Sequence, residues 1–359
     1  MTTPADGHLS WSLAIATYRR GYILPTCIRL ACSQSRPPDE VVIVDASPDW
    51  QVTRALVESQ VSQAHPEIRL LYVAAGRASS AAQRNQAIDL ATSDVVFLLD
   101  DDALMHPGCA AEIMAIYEAD REERIAGVQA VLTTSVPAEV DHSKYADIRY
   151  DGVADGSFGR SRNPLHRYGH KLLSAEDFIV KYDPDRNEPL LPSALSKFAI
   201  ARTEVLAGMR MTWRRRIINQ VRFEELLHRY AVYEDYDASL RASRHGLLLT
   251  ALQARICHLK SAGGGRLSRR DVAYISSLNW AVLLRLNSAD PSRAERDYRR
   301  KLLKNAGVDL LRDIMRQRWR LPHFRGRVAG LRMLPSIFRR SPAELREWYR
   351  AYQETLVRQ

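Results

Sequence analysis

Apolar residues in the first hundred positions fall in short unbroken runs, each followed by a stretch where they recur at helical spacing. The runs, rich in Val, Ile and Leu, occupy residues 13–17, 40–45, 68–73 and 94–99, with helical patterns over 23–34, 51–63 and 79–91 between them. A strand without polar alternation is buried on both faces, as strands of a parallel sheet are. Strand and helix in regular alternation predict a βαβαβαβ unit with right-handed crossovers, a Rossmann-like half suited to nucleotides.

Past Asp102 the pattern becomes mixed. Pro107 opens a helix that runs through Asp120, and 126–132 reads as a further strand. Residues 133–192 are irregular and rich in Asp, Gly, Pro, His and Tyr, a length that marks a functional or partly disordered connection. Order returns at 196–201, a helix is expected over 236–245, and the strand-like 247–252 leads to Ile256-Cys257-His258. From Asp271 onward the chain reads as helical.

Composition narrows the class. The chain has 359 residues, 46% of them hydrophobic, and a mean hydropathy of −0.30, values of a soluble protein with a large core. No apolar run reaches the roughly 20 residues that span a bilayer. The N-terminal residues lack the basic start and apolar stretch of a signal peptide, so a cytoplasmic location is expected. Cys27, Cys32, Cys109 and Cys257 have neither disulfide density nor paired zinc spacing and read as buried thiols in a reducing compartment.

The net charge of +10 is weighted toward the C-terminus, where Arg299, Arg300, Lys301, Arg312, Arg316, Arg318, Arg320, Arg339 and Arg340 interleave with Trp319, Phe324, Leu331 and Phe338. Such a tail suits an anionic membrane surface, with the protein peripheral at the inner face of the cell membrane, or it forms the solvated face of a packed helical subdomain. No nucleic-acid partner is expected, because that reading leaves the strand-end residues unexplained.

Those residues share one edge. Thr17 and Tyr18 follow the first strand, Asp45 closes the second, and Asp100-Asp101-Asp102 close the fourth. In a parallel sheet these ends converge on the crevice where α/β proteins bind ligands. Three adjacent carboxylates repel one another, and either a divalent cation or solvent relieves that repulsion; the plainer reading is a solvated acidic turn before the helix at Pro107. Gly21 stands alone, so there is no glycine-rich phosphate loop. A bound diphosphate then needs another countercharge, which a cation on the carboxylates supplies.

Five segments in order, Ala16-Thr17-Tyr18-Arg19-Arg20, Val42-Ile43-Val44-Asp45-Ala46-Ser47, Ala82-Gln83-Arg84-Asn85-Gln86-Ala87, Phe97-Leu98-Leu99-Asp100-Asp101-Asp102 and Tyr233-Glu234-Asp235-Tyr236-Asp237, together resemble the motifs of family 2 glycosyltransferases. The resemblance, over roughly residues 10–285, implies an α/β GT-A fold with a mixed sheet flanked by helices; the domain is expected over 1–265, with a nucleotide-binding half at about 10–105 and an acceptor-binding half at about 106–265, and the basic helical pattern marks 266–359 as an extension. The resemblance implies inverting transfer from a nucleotide-diphosphate sugar, UDP being the commonest, to a hydroxyl of a glycan or lipid-linked acceptor in polysaccharide or cell-envelope assembly. A metal-dependent nucleotidyltransferase and a non-catalytic nucleotide-binding scaffold are the alternatives.

Carried onto this sequence, Thr17 and Tyr18 border base and ribose, Asp45 accepts from the base, and Arg84 stands near the base or diphosphate. Asp100, with Asp101 beside it, belongs to the nucleotide-sugar contacts. Asp102 and His258 are the expected ligands of a divalent cation, Mg2+ or Mn2+, and Asp235 is the expected general base, with Glu234 and Asp237 as neighbours within reach. Two departures bear on nucleotide identity: Ala46 stands where many members have a second acid, and Arg19 where asparagine is frequent.

Overall fold

The computed structural model describes residues 8–140, 149–150, 179–187, 189–227, 232–260 and 268–357. Most of the connection expected over 133–192 lies outside them. The described residues fall into two units: residues up to 150 with 189–225 and 235–260 form one, and those among 179–187, 226–234 and 268–357 form the other.

The first unit is built on a ten-stranded mixed sheet. Strands β1 (Trp11–Thr17), β2 (Glu40–Asp45), β3 (Arg69–Ala74) and β4 (Val95–Asp100) are connected by α1 (Leu24–Cys32), α2 (Trp50–Ala64) and α3 (Ser80–Leu90). They lie in the order β3-β2-β1-β4, all parallel. Register sets Thr17 beside Asp45 and Ala16 beside Asp100, so the polar ends of three strands form one row.

Alternation along each strand fixes that register. Leu13 and Ile15 of β1, with Val95, Phe97 and Leu99 of β4, enter one apolar layer, where the rings of Trp11 and Phe97 lie 4.3 Å apart. Ala14, Val96 and Leu98 enter the opposite layer with Val42, Val44 and Trp213. Each fully buried aliphatic or aromatic side chain stabilises by about 1.5–3 kcal/mol. A one-residue slip would exchange the two layers, so the row of strand ends is held by the core.

The rest of the sheet is mixed. It contains β5 (Ala103–Met105), β6 (Ile125–Thr133), β7 (Arg149–Tyr150), β8 (Ile200–Arg202), β9 (Arg210–Arg214) and β10 (Leu247–Lys260), with helices α4 (Cys109–Ala119), α5 (Arg215–Val221) and α6 (Glu234–Ala242). Strand β9 runs antiparallel between β4 and β6, while β10 pairs parallel with β6 and antiparallel with β5. The patterning did not indicate β9, a five-residue strand with arginine at both ends. It predicted a strand over 247–252 leading to Ile256-Cys257-His258, where β10 runs on as one strand to Lys260; pairing with β6 passes from Ala251 directly to Arg255, leaving Leu252, Gln253 and Ala254 as an irregularity. All four cysteines are free and buried.

The second unit contains α7 (Arg269–Asn287), α8 (Pro291–Met315), α9 (Pro322–Phe338) and α10 (Pro342–Val357). Helices α7 and α9 cross closely. A Cβ on Gly326 would strike the Arg270 carbonyl, and one on Gly330 would strike Ser277, so this contact requires glycine at both positions. Stacking of Tyr182 on Trp280, at 5.7 Å between ring centres, and a 2.5 Å hydrogen bond from the Tyr349 hydroxyl to Asn279 Oδ1 complete the interior. No helix among the described residues is long and apolar enough to cross a membrane.

Candidate active site

The acidic turn links β4 to β5. Asp102 is buried, and its Oδ1 lies 2.9 Å from His258 Nε2; Oδ2 is 3.6 Å from Arg20 Nη1. Asp100 Oδ2 is 3.9 Å from the same imidazole nitrogen. One ligand atom from each of Asp100, Asp102 and His258 falls within 4.8 Å of the others, the one such trio among the described residues. Two carboxylates and a neutral imidazole are a donor set for a hard or borderline divalent cation. Antiparallel pairing of β10 with β5 delivers the histidine: His258 faces Ala103, and Leu259 N donates to the Asp102 carbonyl at 3.0 Å.

Asp101 faces elsewhere. Its Oδ2 accepts from the Thr17 hydroxyl at 2.6 Å, and both residues are buried. Burial first, then the neighbouring Asp102, pushes its carboxyl up to about 7, while Thr17 and Arg20 oppose the rise. Thr17 and Asp101 thus tie the end of β1 to the turn. From α1, the Cys27 thiol donates to the carbonyl of Ala103 at 3.1 Å; burial holds that thiol well above its ordinary value, so it stays a neutral donor.

At the end of β2, Asp45 is also buried. It accepts from Ser47 N at 2.7 Å and from the Tyr72 hydroxyl at 2.6 Å. Burial and this bond raise the Tyr72 phenol, which remains protonated. Tyr18, in contrast, is half exposed, with the Arg19 guanidinium 5.2 Å from its ring centre. Arg19 has a φ of 56°, left-handed backbone that asparagine adopts more readily than arginine. Its N–H donates to Ser47 Oγ at 2.7 Å, which fastens the loop to β2.

Helix α3 brings in Arg84, buried, with Nη2 2.9 Å from Asp100 Oδ1 and 3.3 Å from the Gly208 carbonyl. Gly208 N in turn donates to Asp235 Oδ2 at 3.0 Å. A Cβ on Gly208 would lie 3.1 Å from the Arg84 guanidinium and 3.5 Å from that carboxylate, so the glycine leaves room for both groups. Burial raises the Asp235 carboxyl above its ordinary value, against the attraction of Arg84 and the N–H bonds of Gly208 and Tyr236. Asp237, its neighbour on α6, is fully buried and bonded to Arg241, which also donates to the carbonyls of Val221 and Arg222.

The expected residues therefore assemble as linked pairs: Thr17 with Asp101, Asp102 with His258, and Asp100 with Arg84 and, through Gly208, Asp235. Asp45 stands at the adjoining strand end with partners of its own, and Tyr18 lies exposed. Sequence reading assigned no role to Gln83, whose amide donates to the carbonyls of Thr17 at 2.8 Å and Val44 at 2.9 Å and so joins two strand ends. Nor did it single out Arg20 or Gly208, and it read Cys27 only as one of four buried thiols, without its bond to the turn. Gln83 and Arg20 fall inside the motifs quoted above; Gly208 and Cys27 carry no local signal.

Comparison with known proteins bears on this geometry. The family model described as glycosyl transferase family 2 matches residues 12–195. Curated protein sequences return no match. Among solved structures, GalNAc-T7 with UDP, GalNAc and Mn2+ is similar with a TM-score of 0.52 at 14% identity, over 77% of this chain and 48% of that one. This chain thus spans about half the length of the GalNAc-T7 chain, and the likeness is one of fold, the GT-A type. S. aureus TarS 1-349 in complex with UDP-GlcNAc gives 0.48 at 14% identity, covering 83% and 73% of the two chains. The mannosyltransferase PcManGT from Pyrobaculum calidifontis, in complex with GDP-Man and Mn2+, gives 0.49 at 14%, covering 91% and 87%.

Proposed function

Because the chain belongs to glycosyl transferase family 2, we propose that it moves a sugar, with inversion, from a nucleotide-diphosphate sugar to a hydroxyl of a glycan or lipid-linked acceptor in polysaccharide or cell-envelope assembly. A UDP-sugar is the donor this reading favours, in keeping with the UDP and Mn2+ held by GalNAc-T7. The observation that carries it is the juxtaposition of the Asp100, Asp102 and His258 trio with Arg84 and the buried Asp235.

The residues divide the reaction between them. Asp235, ionised, takes the proton of the acceptor hydroxyl as its oxygen bonds to the anomeric carbon. The bond from that carbon to the diphosphate oxygen breaks, and its electron pair leaves with the nucleoside diphosphate. Asp102, His258 and Asp100 would hold a divalent cation, Mg2+ or Mn2+, and the cation would supply positive charge to offset that on the leaving diphosphate. Arg84 adds a fixed positive charge beside Asp100. Thr17, Tyr18 and Asp45 border base and ribose, while Asp101, bonded to Thr17, sets the shape of the turn.

The test is a panel of nucleotide-diphosphate sugars, each with and without Mn2+, read by thermal stabilisation and by released nucleotide. A donor at about 100 times its Kd adds about 2.7 kcal/mol of stability, and its turnover releases a nucleoside diphosphate. Release of pyrophosphate identifies a nucleotidyltransferase instead. Absence of stabilisation across the panel contradicts the proposal.

A further inference from the structure

Helix α8 has two unlike faces. Ala294, Tyr298, Leu302, Ala306, Asp309 and Asp313 point inward and are buried. On the opposite side Arg296, Arg300, Leu303, Gly307, Leu311 and Ile314 recur at steps of three and four residues, all exposed. The stripe continues into Met315, 83% exposed, and Trp319, 73% exposed.

Trp319 sits in a defined turn. Gln317 and Leu321, on either side of it, hold left-handed backbone at φ 54° and 45°. Arg318 N donates to the Asp313 carbonyl and Leu321 N to the Arg318 carbonyl, both at 2.8 Å. A non-glycine residue in that region costs about 1–2 kcal/mol, so the backbone that presents the indole to solvent is held by its surroundings.

From Leu303 to Trp319 the exposed charge beside the stripe is cationic, whereas Arg300 at its start pairs with Asp297. Between Arg300 and Arg320 the acids are Asp309 and Asp313, both buried. Asp309 accepts from Arg327 and Arg312, and Asp313 accepts from His323 and the N–H groups of His323 and Phe324. Lys304, Arg316 and Arg320 are exposed along the rim. Desolvation first, then the guanidinium groups of Arg269 and Arg316, holds Arg318 below its ordinary value. Arg340 is engaged differently: its guanidinium lies over the Trp348 ring and donates to the Ser336 carbonyl.

We infer that the exposed face of α8, from Leu303 through Leu311, Ile314 and Met315 to Trp319, docks on an anionic bilayer, its cations meeting lipid phosphates and its apolar stripe entering the headgroup boundary. An apolar stripe with a cationic rim and an indole at its end is the composition of an interfacial helix. A second copy of the chain fits less well, because a two-fold contact would set these arginines against one another. A nucleic acid would use the cations and leave Leu311, Ile314 and Met315 without a partner. The inference stands on this face alone and does not depend on the transfer reaction.

Flotation of the full-length protein with vesicles of phosphatidylcholine, alone or mixed with phosphatidylglycerol, tests it. The native chain should float with the mixed vesicles and far less with phosphatidylcholine. Exposed side chains can be changed without disturbing the core: Leu311→Ser with Trp319→Ser should lower binding about tenfold or more. Arg316→Gln with Arg320→Gln should lower it about fivefold per cation, while Arg54→Gln on α2 leaves it unchanged. Native protein that stays off the anionic vesicles, or a Leu311→Ser, Trp319→Ser variant that binds as well as native, overturns the inference. So does a native dimer that this variant converts to monomer, or duplex DNA binding that it abolishes.

Discussion

The two halves of the sheet contribute to the candidate site in different ways. In the parallel half, Thr17, Asp45 and Asp100 lie in a row because strand register puts them there, and two apolar layers hold that register. In the mixed half, His258 arrives on a strand with an irregular pairing, and Asp235 arrives at the start of a short helix that follows Tyr233, whose φ is 77°. Regular structure thus places Thr17, Asp45 and Asp100, while irregular backbone places His258 and Asp235. Arg84 joins the halves, bonded on one side to Asp100 and on the other to Gly208 beside Asp235.

If this division is right, changes on the two sides have separable effects. Asp235→Asn should lower transfer by about 10²–10⁴-fold, the usual worth of a general base, as read from nucleoside diphosphate release; a fully active variant would remove Asp235 from that role. Asp102→Ala should remove stimulation by Mn2+ and weaken donor binding about 100-fold, since even outer-shell partners of a metal contribute about 10–100-fold; titration of donor with and without Mn2+ reads this.

Arg84→Met acts on both sides. The Arg84 charge lowers the Asp235 pKa, and the base works ionised. Its loss should therefore move the acidic limb of kcat/KM to higher pH. A limb that stays in place would show that Asp235 does not govern it. The smallest effect belongs to Thr17→Val. It leaves buried Asp101 without its 2.6 Å donor and should cost about 1–3 kcal/mol in denaturant unfolding.

The parallel half was legible because each strand is an unbroken apolar run, and the expected ends fall within two residues of those observed. The mixed half was harder to read. Strand β5 has three residues and β9 five with flanking arginines, too short for periodicity to register. Pairing sustains them: Thr212 is wholly buried and bonded to the Val128 carbonyl and to the Tyr117 hydroxyl. Local pattern carries no trace of such partners, which are distant in sequence. Asp235 and His258 were therefore reached through resemblance, and Gly208 was not reached, because its place depends on two side chains more than twenty residues away. The late excess of charge was visible in the sequence; which cations face solvent beside Trp319 was not, since that depends on helix packing.

The most direct test of the division is donor affinity, measured in Mn2+ on Asp235→Asn and Asp102→Ala protein side by side. Affinity within about twofold of native for Asp235→Asn, against a loss of about 100-fold for Asp102→Ala, is the expected result. Equal losses in the two variants would contradict it.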